Sequence, residues 1–183
     1  MGVDKVIIKK AAAIIRKGGL VAFPTETVYG IAALPGNRKT VARLNRIKNR
    51  PPGKPYTIHI GYKKDIHQFV SEVSSPARRF ITKYWPGPLT LILKSKSGQK
   101  IGLRMPDNKI ALSLIRAVGA PVIAPSANRS GQKSPVRAGD VIGGMDMIID
   151  GGTTRYRKGS TIVDFTVNPV KIVRKGCLEI KGL

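Results

Sequence analysis

Acidic residues are scarce in this chain. Ten Asp and Glu stand against 33 Lys and Arg, a formal charge of +23, so most cations have no acidic partner and must end in solvent or on an anionic ligand. A field of this sign attracts polyanions, with nucleotides, pyrophosphate and RNA as candidates, and such binding weakens with salt through counterion release. A generally basic proteome or a solubility device accounts for the same charge, so charge alone names no partner.

Other absences narrow the field. Cys177 is the single cysteine and there are two histidines, which excludes an internal disulfide and any His/Cys cluster of metal-ligand spacing; a reducing cytoplasm is expected, and no metal site. Aromatics make up 5%, which points to an aliphatic core. Asp4, Lys5, Lys9 and Lys10 fall where a signal peptide needs its apolar segment, and no uncharged apolar run approaches the ~20 residues of a membrane span. Met1-Gly2 resembles a myristoylation start only superficially, because Val6 stands where that motif needs Ser or Thr. Also missing are a Gly-x-x-x-x-Gly-Lys-Ser/Thr phosphate loop, a Gly-x-Gly-x-x-Gly turn after a strand, His-Glu-x-x-His and a convincing Ser-His-Asp set.

What remains is an ordinary globular composition, 42% hydrophobic and 23% charged over 183 residues, enough for one domain over residues 1–183 with a real core. Asp4 can cap a helix whose apolar stripe is Ile7, Ala11, Ile14 and Ile15, ended by Gly18-Gly19. Helices are also expected over 39–48, 64–70, after a Ser75-Pro76 start, and from an Asp107 cap to Ala117, stopped by Gly119. Short strands are expected at 20–23, 57–60, 89–94, 101–104, 121–124, 147–149, 161–165 and 170–174. Irregular alternation of this kind predicts an α/β protein with a twisted, open mixed sheet and flanking helices.

Several polar, Gly- and Pro-rich stretches directly follow these strands, where α/β proteins place their sites. Residues 23–30, Phe-Pro-Thr-Glu-Thr-Val-Tyr-Gly, read either as a capped turn or as a ligand loop. In 48–55, Lys48, Arg50 and Lys54 sit on a backbone stiffened by Pro51, Pro52 and Pro55, which holds the cations in place as a phosphate site requires. His59 lies four residues on, as a substrate-orienting group or a satisfied core residue. The loop 125–135 offers Ser126, Asn128, Ser130 and Ser134 to phosphate or ribose oxygens, or is simply flexible.

In order, Pro24-Thr25-Glu26-Thr27-Val28-Tyr29-Gly30, Lys48-x-Arg50-Pro51-x-x-Lys54-Pro55, Trp85-Pro86-Gly87-Pro88-Leu89-Thr90, Arg104-x-Pro106, Pro125-Ser126-Ala127-Asn128-x-Ser130-Gly131, Ser160-Thr161-Ile162-Val163-Asp164 and Arg174-x-Gly176 resemble the YrdC-like threonylcarbamoyl-AMP synthases. The resemblance spans nearly the whole chain. It implies a YrdC-like fold with a concave basic cleft, and conversion of L-threonine, bicarbonate and ATP to threonylcarbamoyl-AMP and pyrophosphate for tRNA modification. It implies that Thr27, His59, Arg104, the backbone near Ala124, and Ser160 serve threonine or its carbamate. Arg50, Lys54, Ser126, Ser134 and Arg174 would serve ATP, with Lys48 and Asn128 lining the same cleft. Lys48, Arg50 and Lys54 would carry the charge neutralisation of catalysis, and Mg²⁺ would arrive with the triphosphate.

The chain also departs from the family pattern. Lys100 stands where the family often has a small hydroxyl residue at the ATP site, Tyr56 replaces a commoner leucine and reads as a packing change, and the chain ends soon after Gly176, which implies the short form without a further C-terminal domain. Two other readings compete: a non-enzymatic module binding double-stranded or otherwise structured RNA, which scarce aromatics disfavour, and a carbamoyl-adenylating relative in metalloenzyme maturation. Downstream partners would be tRNA or tRNA-modification proteins.

Arg78-Arg79, Lys94-x-Lys96 and Arg155-x-Arg157-Lys158 belong to none of these motifs. If this surplus charge captures RNA, reversing Arg78 and Arg79 to Glu weakens RNA binding and flattens its salt dependence, while adenylate formation from free substrates is unchanged. Affinities across a salt series test this; an unmoved salt slope removes these two cations from any RNA footprint.

Overall fold

The computed structural model describes residues 4–180; the Met1-Gly2 pair lies outside them. Helix α1, Lys5–Arg16, starts as expected: the Asp4 carboxylate accepts from the Val6 N–H at 2.9 Å, and Gly18 turns the chain away at φ +85°. Its buried face is Ile8, Ala11, Ala12 and Ile15, rotated by one residue from the expected stripe, so that Ile7 is left exposed. The partner decides this, because α1 packs on α4, Lys109–Val118, through that helix's Ala111, Leu114, Ile115 and Val118. Asn108, not Asp107, caps α4, its side-chain oxygen accepting from Ala111 N–H at 3.0 Å. Both residues are good caps, and the one whose backbone is still extended when the next turns helical takes the role.

Helix α2, Arg38–Lys48, is capped by Asn37 and closed by Asn49 in the left-handed region at φ 47°, which turns the chain into the three-proline loop. In α3, Ser75–Tyr84, Ser74 takes the cap position, so Ser75 and Pro76 are its first two residues. The segment expected to be helical at 64–70 is 3₁₀ over Lys63–Gln68.

The strands form two mixed sheets. Strands β1, Val21–Phe23, β2, Gly30–Ala32, and β7, Met147–Ile148, form one in the order β2-β1-β7. The other has the order β6-β3-β5-β4-β8-β9, from β3, Thr57–His59, β4, Leu89–Lys94, β5, Lys100–Arg104, β6, Val122–Ile123, β8, Thr161–Asp164, and β9, Lys171–Arg174. Bridges Gly30↔Ser126 and Ala33↔Ile123 join the two sheets. The sequence gives no sign of β2, since three residues including a glycine are too short to show alternation. Leu89, Leu91, Leu103 and Val163 are fully buried in the larger core, which confirms an aliphatic interior. Among the described residues no helix is long and apolar enough to cross a membrane.

Register places the polar residues. His59 pairs with Arg104, Thr90 with Ile162, and Ile162 with Arg174; the Leu91↔Leu103 pairing puts Thr90 opposite Arg104 one step along. These five residues form a single rung across five strands, and in-register residues share a face.

Tyr29 clamps the loops over that rung. Its backbone N–H donates to Pro135 O and its carbonyl accepts from Ala127 N–H, both at 2.9 Å. Its buried hydroxyl donates to Gly152 O at 2.8 Å and accepts from Gly151 N–H at 3.1 Å. Tyr29→Phe strands both backbone groups, and urea titration should show a loss of about 1–3 kcal/mol; an unchanged midpoint and slope would mean that the hydroxyl carries none of this.

Candidate functional site

The loop from Pro24 to Gly30 leaves β1 and crosses the face of the six-stranded sheet, enclosing a recess of about 260 Å³. Its floor is the cross-strand rung, extended by Thr57 and Ser160; its walls are Thr25 and Thr27, the three-proline loop and Ala124–Ser126. Thr27, His59, Arg104, Ala124 and Ser160 all line it, as do Arg50, Lys54, Ser126, Ser134 and Arg174. Ten residues chosen from segments scattered over the chain therefore meet around one recess.

Arg104 is its centre. The side chain is 6% exposed, with Nη2 2.8 Å from Glu26 Oε1, itself on a side chain 2% exposed. Nη2 also donates to Thr27 Oγ1 at 2.9 Å, and Nε reaches Gly87 O at 3.4 Å. Both Glu26 oxygens nonetheless lack an aligned hydrogen bond among the described residues, so charge attraction, rather than directional bonding, carries the Glu26–Arg104 contact. Thr27 Oγ1 in turn lies 2.8 Å from Thr25 Oγ1, which donates to Val28 O, so Thr25 closes the turn, and both threonines line the recess.

His59 is buried beside Arg104. Burial first, and the Arg104 charge second, hold its pKa well below the ordinary value, against a backbone bond at Thr57 that raises it, so the ring is neutral at physiological pH. Its Nδ1 has no hydrogen-bond partner among the described residues. A neutral ring of this kind orients a ligand by hydrogen bonding and does not supply a proton.

Ser160 and Arg174 form the far side. Arg174 Nε and Nη2 donate to Ser160 O at 3.0 and 2.8 Å, and Nη2 also to Ser160 Oγ at 3.0 Å, while that hydroxyl lies 2.8 Å from Thr90 Oγ1. A Cβ on Gly176 would sit 2.2 Å from the Ser160 carbonyl carbon, so glycine is required where the chain after β9 passes Ser160.

Three expected residues lie elsewhere. Lys48 is buried behind the wall, its Nζ donating to Ser126 O and Asn128 O at 2.5 Å each: it pins the 126–130 loop and does not line the recess. The Asn128 amide points away, donating to Arg129 O and Gln132 O at 2.8 Å each. Lys100 pairs with Asp164 at 2.8 Å at the opposite end of β5 from Arg104, too far along the strand to reach the rung. Sequence reasoning in turn passed over Thr57 and Thr90, which line the recess. Thr57 is findable by period-two alternation with His59; Thr90 needs the register.

The charged residues in the lining are all cations. Arg50, Lys54, Arg104 and Arg174 line the recess, no carboxylate does, and among the described residues only Arg104 of these four has an acidic partner. Arg50 is instead held by carbonyls, Nε donating to Lys54 O at 3.1 Å and Nη2 to Pro55 O at 2.6 Å. Guanidinium groups so fixed suit the paired oxygens of carboxylate and phosphate.

The family profile Sua5_yciO_yrdC, described as telomere recombination, matches residues 13–176. The chain belongs to the Sua5/YciO/YrdC family. A threonylcarbamoyl-AMP synthase of Pyrococcus abyssi is 40% identical over 96% of this chain and 56% of that protein. The crystal structure of P. abyssi Sua5 complexed with L-threonine superposes with a TM-score of 0.92 at 38% identity, over 96% of this chain and 56% of that one. E. coli YciO gives a TM-score of 0.84 at 26% identity, over 97% and 93%. The chain thus spans about half the length of curated relatives it matches, and the Sua5/YciO/YrdC fold accounts for the mixed sheets and flanking helices.

Lys48 supplies a pH test. Burial first, then the charges of Arg50 and Lys54, lower its pKa from 10.5 to about 8, although two carbonyl acceptors favour the ammonium. Between those values the unfolded chain binds the extra proton and the folded chain does not, so stability rises with pH across this window. Relative to Lys48→Met, the wild type should gain stability as pH rises from about 8 to about 10, with a flat difference below. Urea titrations showing the gap closing instead would reverse the assignment.

Proposed function

We propose that the chain is the catalytic unit of a threonylcarbamoyl-AMP synthase, one domain over residues 1–183, joining L-threonine, bicarbonate and ATP to give threonylcarbamoyl-AMP, pyrophosphate and water. The observation that carries this is a recess with four cations, three of them without an acidic partner among the described residues, and no carboxylate among its lining residues. Family membership and the threonine complex of the P. abyssi relative support the substrate class.

In this reading the threonine carboxylate meets Arg104 and Thr27, with His59, the backbone at Ala124, and Ser160 around the rest of the molecule. Bicarbonate takes up a proton and loses water to give CO₂, to which the threonine amine adds with loss of a proton, giving a carbamate. A carbamate oxygen then attacks the α-phosphorus and pyrophosphate leaves, so no protein nucleophile is needed. The work left to the protein is alignment and neutralisation of charge. Arg50 and Lys54 reach the phosphates from the three-proline loop, Arg174 from β9, and Ser126 and Ser134 from the loop that Lys48 pins. Lys48 and Asn128 act by shaping that wall, and Lys100 has no part in it.

Mg²⁺ fits only as a companion of the triphosphate. The recess offers hydroxyls and carbonyls but no carboxylate, and among the described residues no group of three His, Cys, Asp or Glu could hold a metal. The ion would be carried by phosphate oxygens and water and would lessen their charge. A cytoplasmic location and delivery of the product to tRNA or tRNA-modification proteins complete the proposal, with structured RNA held on the surplus cations.

The test is product formation by the full chain. Threonylcarbamoyl-AMP and pyrophosphate should appear only with ATP, threonine and bicarbonate together, and Arg50→Ala should reduce the rate by at least about a hundredfold, the scale of losing one stabilising donor to developing charge, with melting unchanged. Structured RNA bound without turnover under any substrate combination would favour the RNA-binding module instead.

A further inference from the structure

Tyr56 does not line the recess, yet the foremost cation of the three-proline loop rests on it. The Arg50 guanidinium lies over the Tyr56 ring, 4.0 Å from its centroid, and the ring is tethered in turn, its hydroxyl donating to Asn45 Oδ1 at 2.6 Å. Asn45 also fixes the arginine's own backbone, its carbonyl accepting from Arg50 N–H at 3.0 Å. The last turns of α2 therefore hold both members of the stack.

We propose that Tyr56 is the positioning residue that presents Arg50 to the nucleotide phosphates; this rests on the reading of Arg50 as an ATP contact. Lys48 at the end of α2 and Arg50 and Lys54 in the loop after it carry one sign of charge, and mutual repulsion in a chain of charge +23 drives a free arginine side chain outward into solvent. Three contacts oppose that drift. The carbonyls of Lys54 and Pro55 fix the guanidinium plane along Nε and Nη2, and the ring covers one face. Nη1 is left without a hydrogen-bond partner among the described residues, the edge available to a phosphate oxygen. An aromatic face is suited to this task, because it attracts the cation without supplying a carboxylate that would cancel its charge. Tyr56 thus substitutes for an acidic partner in a site where an acidic partner would repel the substrate.

Titration calorimetry on the full chain reads this without turnover, using a non-hydrolysable ATP analogue and, separately, L-threonine. Tyr56→Leu should weaken the analogue about five- to tenfold, the scale of a partly desolvated cation–π contact, with threonine affinity and melting temperature unchanged. Tyr56→Phe keeps the ring face and should stay within about twofold of wild type, which a merely structural loss would not predict. Arg50→Ala is the reference. If it binds the analogue as wild type does, the reading of Arg50 falls and this inference with it. If it weakens binding while Tyr56→Leu does not, Tyr56 alone is excluded. Parallel losses of both ligands together with a lower melting temperature in Tyr56→Leu would make the ring structural and overturn the positioning role.

Discussion

Arg104 is buried at the middle of a β-sheet, and the arrangement around it follows from that cost. An isolated guanidinium taken from water is expensive by several kcal/mol, and a buried partner recovers much of it. Glu26 is that partner, 2.8 Å away, and it reaches Arg104 only because the loop after β1 lies across the sheet. The ion pair therefore draws the roof onto the sheet and brings Thr27 within bonding distance of the same guanidinium. Tyr29, on the same loop, carries the constraint outward to 127, 135 and 151–152 through four further hydrogen bonds.

The remaining cations are held by a different device. Lys48, Arg50 and Arg174 are fixed by backbone carbonyls, which orient a cation without neutralising it. Burial lowers the pKa of all three; Arg50 and Arg174 line the recess, while Lys48 stays behind its wall on two carbonyls. Cations fixed in this way need no reorganisation to neutralise the charge of an anion that meets them. The scarcity of acids in the whole chain, ten against 33 bases, is concentrated here into a lining that includes no carboxylate among the described residues.

Much of this was legible beforehand, for identifiable reasons. Asp4 and Gly18 bound α1 because caps are local events, decided within one turn of chain. The three prolines around Arg50 mark a stiff cationic loop for the same reason. The expectations that failed depended on distant partners. Asp107 and Asn108 are equally able to cap, and the α1 stripe is rotated because α4 selects Ile8 over Ile7. Lys48 and Arg50 are two residues apart with similar side chains, yet one faces backward into the wall and the other into the recess, a difference set by where α2 ends and Asn49 reverses the chain. Lys100 and Arg104 share a strand, and only the distance along it separates an ion pair with Asp164 from the centre of the site.

By itself, the sequence determined the materials: short aliphatic strands, capped helices, a positive charge too large to be paired, and polar loops placed after strands. These are local or compositional properties, and a chain carries them wherever it folds. Which of those residues meet was decided only by the tertiary structure, because sheet register has no local signature. His59, Arg104, Thr90, Ile162 and Arg174 come from five separate strands, and a slip of one residue in any strand would turn its member of the rung to the opposite face.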